Sequence, residues 1–272
     1  MKIIQPFCQV NQCNQGFSEE IDLQGILKPN LILIHGWGLH GGIWENLVPE
    51  LEADYHIYNI DLPGFGRSPV VNCSYDLDYL VESVVSILPD KCHIMGWSMG
   101  GLVATAIADR YPEKIEKLIT VASSPCFLAT KDNPHGMNKA VLETFIQYLS
   151  EDFRGTLIKF LSIQTMGSVT QKEDIQRLKE TVFLHGSPAE KALTGGLNIL
   201  KNTDLSRVLN SLKMPLLRIY GKLDTLVPVK SIELIDRLAP NSQKELFLKS
   251  GHSPFLSQGS AFLKCINNFL IS

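Results

Sequence analysis

Cys92-His93-Ile94-Met95-Gly96-Trp97-Ser98-Met99-Gly100-Gly101-Leu102-Val103-Ala104 decides how this chain is read. A short apolar segment, Cys92 to Met95, runs into Gly96-Trp97-Ser98-Met99-Gly100, and Gly101 to Ala108 follows with the composition of a helix. Gly-x-Ser-x-Gly between a strand and a helix is a turn so tight that its serine takes a strained backbone conformation. Side chains at Gly96 and Gly100 would collide across such a turn. The hydroxyl is then lifted clear of the sheet at the positive end of a helix, where a developing anion is stabilised. Ser98 is therefore the candidate nucleophile, and the strand–turn–helix context separates it from chance occurrences of the pattern.

The segments on either side repeat the strand–helix alternation. Leu31-Ile32-Leu33-Ile34 is a continuous apolar run ending at His35-Gly36-Trp37-Gly38. Tyr55 to Ile60 gives a second strand, ended by Asp61-Leu62-Pro63-Gly64-Phe65-Gly66, whose Pro and Gly residues enforce a loop. Leu118 to Ala122, Leu216 to Gly221 and Glu245 to Leu248 read as further strands, with helical patterns at Leu77 to Leu88 and Val229 to Leu238. Buried strands alternating with helices predict an α/β fold, a mostly parallel sheet flanked by helices. The alternation stops between about Phe127 and Thr203, where Asn138 to Leu149, Phe153 to Ile163 and Gln171 to Phe183 are rich in helix formers. The expectation is a core domain over 1–126 and 204–272 and a helical cap over 127–203, with three or four helices above the carboxyl ends of the strands. Ligands bind at that edge of open α/β sheets, so an insertion there shapes a pocket. A set of ordinary sheet-covering helices is the alternative.

With 272 residues, 44% of them hydrophobic and 19% charged, the chain suffices for one large α/β domain or a core with an insertion. A net charge of -3 offers no continuous basic surface, so no nucleic-acid partner is expected. No apolar run reaches the roughly 20 residues that span a bilayer, and no membrane association is expected. The first dozen residues lack the long apolar stretch of a secretory signal, which points to the cytoplasm. The six cysteines (Cys8, Cys13, Cys73, Cys92, Cys126 and Cys265) contain no Cys-x-x-Cys pair and read as reduced thiols. Cys8 and Cys13 would be half a metal site with no second pair, and the seven histidines form no ligand pattern, so neither a metal nor another cofactor is expected. A monomer is expected.

A serine hydroxyl needs a base, and the base needs a third group to orient it. In folds built on this turn the order along the chain is nucleophile, acid, histidine. Asp224 lies in the loop after the strand Leu216 to Gly221, and His252 lies in the loop after Leu246-Phe247-Leu248. Asp204 and Asp236 are weaker rivals, since neither directly follows a strand. For the oxyanion, one donor is expected from the amide of Met99 and the other from the loop His35 to Gly38, where position selects the amide of Trp37. The Trp37 indole is also a candidate wall of an acyl pocket.

These motifs, with Asp61-Leu62-Pro63-Gly64-Phe65-Gly66-Arg67-Ser68 and Gly251-His252, resemble those of the α/β-hydrolases throughout. Within that superfamily the chain resembles the BioH-type carboxylesterases, which act on pimeloyl-[acyl-carrier protein] methyl esters. The narrower motifs are Gly36-Trp37-Gly38-Leu39, Val121-Ala122-Ser123-Ser124-Pro125-Cys126-Phe127, Phe160-Leu161-Ser162-Ile163-Gln164-Thr165-Met166-Gly167 and Gly195-Gly196-Leu197-Asn198-Ile199-Leu200-Lys201. The resemblance implies an α/β-hydrolase fold and cleavage of the methyl ester of pimeloyl-acyl carrier protein in biotin synthesis. It implies catalysis by Ser98, Asp224 and His252. It places substrate contacts at Trp37, Ser98, Met99, Phe160, Leu161, Ser162, Ile163, Gln164 and His252. Contact with the acidic carrier protein is implied for Arg154, Lys159, Lys172 and Arg177. Gly155 and Gln176 stand where the family pattern has arginine, one position from Arg154 and Arg177. A one-residue shift turns a helical side chain by about 100°. Other substrates for the same fold stay open, among them thioesters, general esters and carbon–carbon bonds, as does a non-catalytic ligand-binding homologue. Dehalogenase or epoxide hydrolase chemistry is disfavoured, because those relatives carry Asp where this chain has Ser98.

Overall fold

The computed structural model describes residues 5–10, 28–70 and 72–272. Its strands are β1 (Cys8–Val10), β2 (Asn30–Ile34), β3 (His56–Ile60), β4 (Cys92–Trp97), β5 (Ile115–Val121), β6 (Leu216–Gly221) and β7 (Gln243–Phe247). They form one sheet in the order β1-β3-β2-β4-β5-β6-β7. β1 runs antiparallel to β3, and every other pairing is parallel. Leu31 to Ile34 are fully buried, and β4 is buried at all six positions, as parallel strands covered on both faces must be.

The longer helices are α1 (Leu77–Val85), α2 (Met99–Arg110), α3 (Lys139–Glu151), α4 (Phe153–Gln164), α5 (Gln171–Val182), α6 (Glu190–Asn202), α7 (Val229–Leu238) and α8 (Gly259–Ile271). Local chemistry starts several of them. The Asp76 carboxylate accepts from Tyr79 N–H ahead of α1, Asn138 caps α3 through Ala140 N–H, and Asp152 caps α4 through Gly155 N–H. Helix α1 ends at Val85, three residues short of the apolar pattern.

Two differences from the sequence expectation are physical. β1 was not foreseen, because Cys8-Gln9-Val10 is a short, partly exposed edge segment that pairs through its backbone alone. β5 begins at Ile115 and β7 at Gln243, ahead of their apolar runs. A ladder such as Leu217 beside Gln243 makes no demand on side-chain polarity.

Between Phe127 and Thr203 the chain forms α3 to α6. Its two ends are pinned together, with Cys126 bridging to Asp204 and Leu205 N–H donating to the Pro125 carbonyl at 2.8 Å. Contacts with loops that follow the strands place these helices. Trp37 Nε1 donates to the Leu193 carbonyl of α6 at 2.8 Å, and a Cβ on Gly38 would meet the Leu157 side chain of α4 at 2.6 Å. His40 Nε2 lies 2.6 Å from the Thr181 carbonyl of α5, and His252 N–H donates to the Gln164 carbonyl at the end of α4 at 3.0 Å. The helices therefore sit over the carboxyl ends of β2 and β7.

Candidate active site

β4 delivers the chain to Ser98 and α2 carries it away. Ser98 has φ 55° and ψ -120°, a left-handed conformation that few side-chain-bearing residues adopt. Such strain costs roughly 1–3 kcal/mol and persists only where the surroundings enforce it. Here Ser98 N–H donates to the Val121 carbonyl at 2.9 Å, and Ser123 Oγ–H donates to the Ser98 carbonyl at 2.8 Å. A Cβ on Gly96 would drive into the Gly100 carbonyl, and one on Gly100 into the carbonyls of Ile34 and His35. Both glycines are therefore steric requirements of the turn.

The loops after β6 and β7 bring the other two side chains to it. His252 Nε2 is 2.8 Å from Ser98 Oγ, and His252 Nδ1 is 2.8 Å from Asp224 Oδ2. The second carboxylate oxygen of Asp224 accepts from Leu226 N–H at 2.8 Å and Val227 N–H at 3.0 Å, which fixes its plane. All three residues are buried. Along this line a proton leaving Ser98 Oγ can pass to Nε2 while Asp224 keeps the proton on Nδ1. The rival aspartates are occupied elsewhere. Asp204 accepts from Ser206 N–H, and Asp236 pairs with Arg218 at 2.7 Å and Lys244 at 2.6 Å.

Among the described residues neither Trp37 N–H nor Met99 N–H has an acceptor within the protein, as donors awaiting an oxyanion require. His35 shapes the loop that carries the first of them. Its Nε2 accepts from Leu62 N–H at 2.9 Å, so Nδ1 bears the proton and donates to the Gly36 carbonyl at 2.7 Å. Burial holds the imidazole down at about 4, against the ordinary 6.5. Because the folded-state value lies below the unfolded one, falling pH protonates the unfolded chain first. The contribution of His35 to stability is complete above pH 6.5 and is lost as pH falls from 6.5 to about 4. The loss amounts to about 3 kcal/mol. The gap in unfolding free energy between wild type and His35→Gln, measured by urea titration, is expected to narrow by that amount between pH 7 and pH 4. A gap constant over this range would show that burial does not depress the His35 imidazole.

The candidate pocket residues separate into those that reach the site and those that do not show contact with it. Phe160 stacks edge-on against Trp37 at 4.7 Å and against Phe145 at 5.5 Å, so it packs directly on the Trp37 indole. A Cβ on Gly196 would meet the Trp37 ring at 2.5 Å and the Met99 sulfur at 3.1 Å, so α6 closes the same space. Gln164 is buried, and neither polar atom of its side chain has a partner among the described residues. Leu161 is buried in the core cluster and Ile163 is half-buried, while Ser162 Oγ donates to the Ile158 carbonyl of its own helix at 2.8 Å. All four expected basic contacts are exposed, Lys172 and Arg177 on α5 and Arg154 and Lys159 on α4. On α4, Arg154 lies 4.4 Å over the Phe183 ring and Lys159 lies 5.7 Å from the Tyr148 ring.

Three supporting groups escape sequence reasoning. Trp97 Nε1 donates to the His252 carbonyl at 2.8 Å, tying the histidine loop to the turn. The Gln164 carbonyl holds the same residue's N–H. Asp61 accepts from Gly41 N–H at 2.7 Å and pairs with Arg67 Nε at 2.8 Å, holding the loop after β3 to the loop after β2. The Asp-Leu-Pro-Gly motif marked Asp61 but not its partners, and no local signal marks the two bonds to His252, which span more than 80 residues. Cys8 is a free thiol pushed up to about 12 by burial, while Cys13 lies outside the described residues. No helix among the described residues is long and apolar enough to cross a membrane.

A strained serine at the end of a central parallel strand, with histidine and aspartate supplied by later loops under a helical cap, is the architecture of a hydrolase. The chain belongs to the α/β hydrolase fold family, whose model matches residues 29–258. It is 44% identical over 243 residues to the pimeloyl-[acyl-carrier protein] methyl ester esterase of Aeromonas hydrophila, covering 89% of this chain and 95% of that protein. The esterase of the same name from Klebsiella pneumoniae is 43% identical over 233 residues, covering 86% and 90%. Among solved structures, a bromoperoxidase from Bacillus anthracis superposes with a TM-score of 0.83 at 25% identity, covering 90% of this chain and 92% of that one.

Proposed function

We propose that this protein is a carboxylesterase that hydrolyses the methyl ester of pimeloyl-acyl carrier protein, a step of biotin synthesis in the cytoplasm. The observation that carries the reading is the unbroken line from Ser98 Oγ through both nitrogens of His252 to Asp224, each link 2.8 Å long. The substrate is drawn from relatives that share 43–44% of their residues with most of this chain.

Ser98 Oγ attacks the ester carbonyl while His252 Nε2 takes its proton, and Asp224 stabilises the imidazolium so formed. The amides of Trp37 and Met99 hold the oxyanion. The bond to the methoxy oxygen breaks, and methanol leaves with the proton from His252. Water then attacks the acyl-Ser98 ester, giving its proton to His252, and the free carboxylate departs with Ser98 restored. Trp37 and Phe160 line the acyl site, with Leu161, Ser162, Ile163 and Gln164 completing the segment that meets the substrate. The unpaired Gln164 amide supports this role, since a buried amide without a partner costs about 1–3 kcal/mol and a polar ligand would satisfy it. Arg154, Lys159, Lys172 and Arg177 form the basic side of the cap offered to the carrier protein.

Expression of the chain in a biotin-requiring strain that lacks this esterase tests the role. Growth without biotin is expected, and it should vanish with Ser98→Ala. No growth with well-expressed protein would favour a general esterase.

A further inference from the structure

The seam between cap and core carries a concentration of exposed apolar side chains. Met166 (48% exposed) and Val169 (64%) lie on the turn between α4 and α5, Leu223 (37%) after β6 and Leu248 (61%) after β7. Backbone bonds join the three segments. Val169 N–H donates to the Lys249 carbonyl at 3.4 Å, Leu223 N–H to the Ser250 carbonyl at 2.9 Å, and Lys222 N–H to the Phe247 carbonyl at 2.9 Å. A Cβ on Gly167 would lie 3.2 Å from the Leu223 Cβ, so turn and loop are in contact. Apolar side chains scattered singly need no explanation, whereas a contiguous exposed group marks an interaction site.

The charge at the seam runs against that of the chain. Lys222 and Lys249 are both exposed, and neither makes an ion pair among the described residues, in a protein of net charge -3. Lys172 of α5 continues the basic edge three residues beyond Val169. The surface is also close to the chemistry. Leu223 adjoins Asp224, and Leu248 lies four residues before His252.

We infer that this seam is a docking surface for the acidic carrier protein, with Met166, Val169, Leu223 and Leu248 covering an apolar face and Lys222 and Lys249 pairing with its carboxylates. The inference rests on the substrate reading above. An apolar centre with a charged rim is the usual anatomy of a specific contact, and rim charges steer an oppositely charged partner. A second copy of this chain fits less well, because two-fold symmetry would set the same lysines on both sides of the contact.

Two double variants test the surface, Lys222→Glu with Lys249→Glu, and Val169→Asp with Leu248→Asp. Each is expected to lower kcat/KM on methyl pimeloyl-carrier protein by about tenfold or more while leaving a p-nitrophenyl ester within about twofold. Lys91→Glu, an exposed charge reversal at the opposite end of β4, should change neither rate. A wild type active on the carrier ester, with both double variants within twofold of it, overturns the surface alone. A wild type that cleaves the small ester but not the carrier ester overturns the substrate reading and the surface with it. A dimer that these substitutions dissociate assigns the seam to a second copy and equally overturns the inference.

Discussion

Ser98→Ala is expected to lower kcat on a p-nitrophenyl ester by about 10⁵- to 10⁶-fold while the protein stays folded. The loss is large because the nucleophile and its base act as a unit, and the residual rate comes from binding and the oxyanion donors alone. Folding should survive because, among the described residues, the only partner of Ser98 Oγ is His252 Nε2. The forces that hold the strained turn act on backbone atoms instead. Ser98 N–H keeps the Val121 carbonyl, and the Ser98 carbonyl keeps the Ser123 hydroxyl. Circular dichroism and the melting temperature should therefore stay close to wild type. Covalent labelling by a fluorophosphonate should disappear. A variant that retained most of its activity would remove Ser98 from the chemistry.

Asp224→Asn is expected to cost about 10⁴-fold in kcat, with KM far less affected. The reason lies in how the carboxylate is held. Oδ1 accepts from the Leu226 and Val227 amides, and Oδ2 faces His252 Nδ1. An asparagine in this position keeps its oxygen on the two amides and turns its NH₂ toward Nδ1. The ring must then accept at Nδ1 and carry its proton on Nε2, pointing at Ser98. In that tautomer it cannot take the serine proton. The measurement is steady-state kinetics on a small ester, with the fold checked by melting temperature. A fall of less than about tenfold would mean that Asp224 neither sets the tautomer nor stabilises the imidazolium.

Most of the fold was legible where one side-chain property decides the structure. β2, β4 and β6 are apolar at nearly every position because both faces are covered, and such runs are visible without an alignment. β1 was not legible, since its pairing with β3 is made by backbone groups whose partners lie 48 to 52 residues away in the chain, at pairs such as Gln9 and Asn59. The end of the apolar pattern also misplaced strand boundaries, because Lys117 joins β5 through the ladder opposite His93 despite its charge, with Glu116 at the register shift before it.

At the site, the Gly-x-Ser-x-Gly turn marked Ser98, strand ends in the order nucleophile, acid, histidine marked Asp224 and His252, and the structure brings those three together. What order could not show is the scaffolding that crosses between elements. His252 is gripped from both sides, by the Trp97 indole through its carbonyl and by the Gln164 carbonyl through its N–H. The second grip comes from the end of a cap helix, so the cap is part of what positions the imidazole. Arg154 shows a contact of the same kind: exposed on α4, it also lays its guanidinium over Phe183, a contact set by how α4 and α5 pack.

The most direct test uses purified protein with methyl pimeloyl-carrier protein, following methanol release and the mass of the carrier-bound acyl chain. The expected result is stoichiometric conversion to the free carboxylate with the thioester to the carrier intact, abolished in Ser98→Ala. A wild type that hydrolyses p-nitrophenyl esters yet leaves the carrier-bound methyl ester unchanged, or that cleaves the thioester instead, would contradict it.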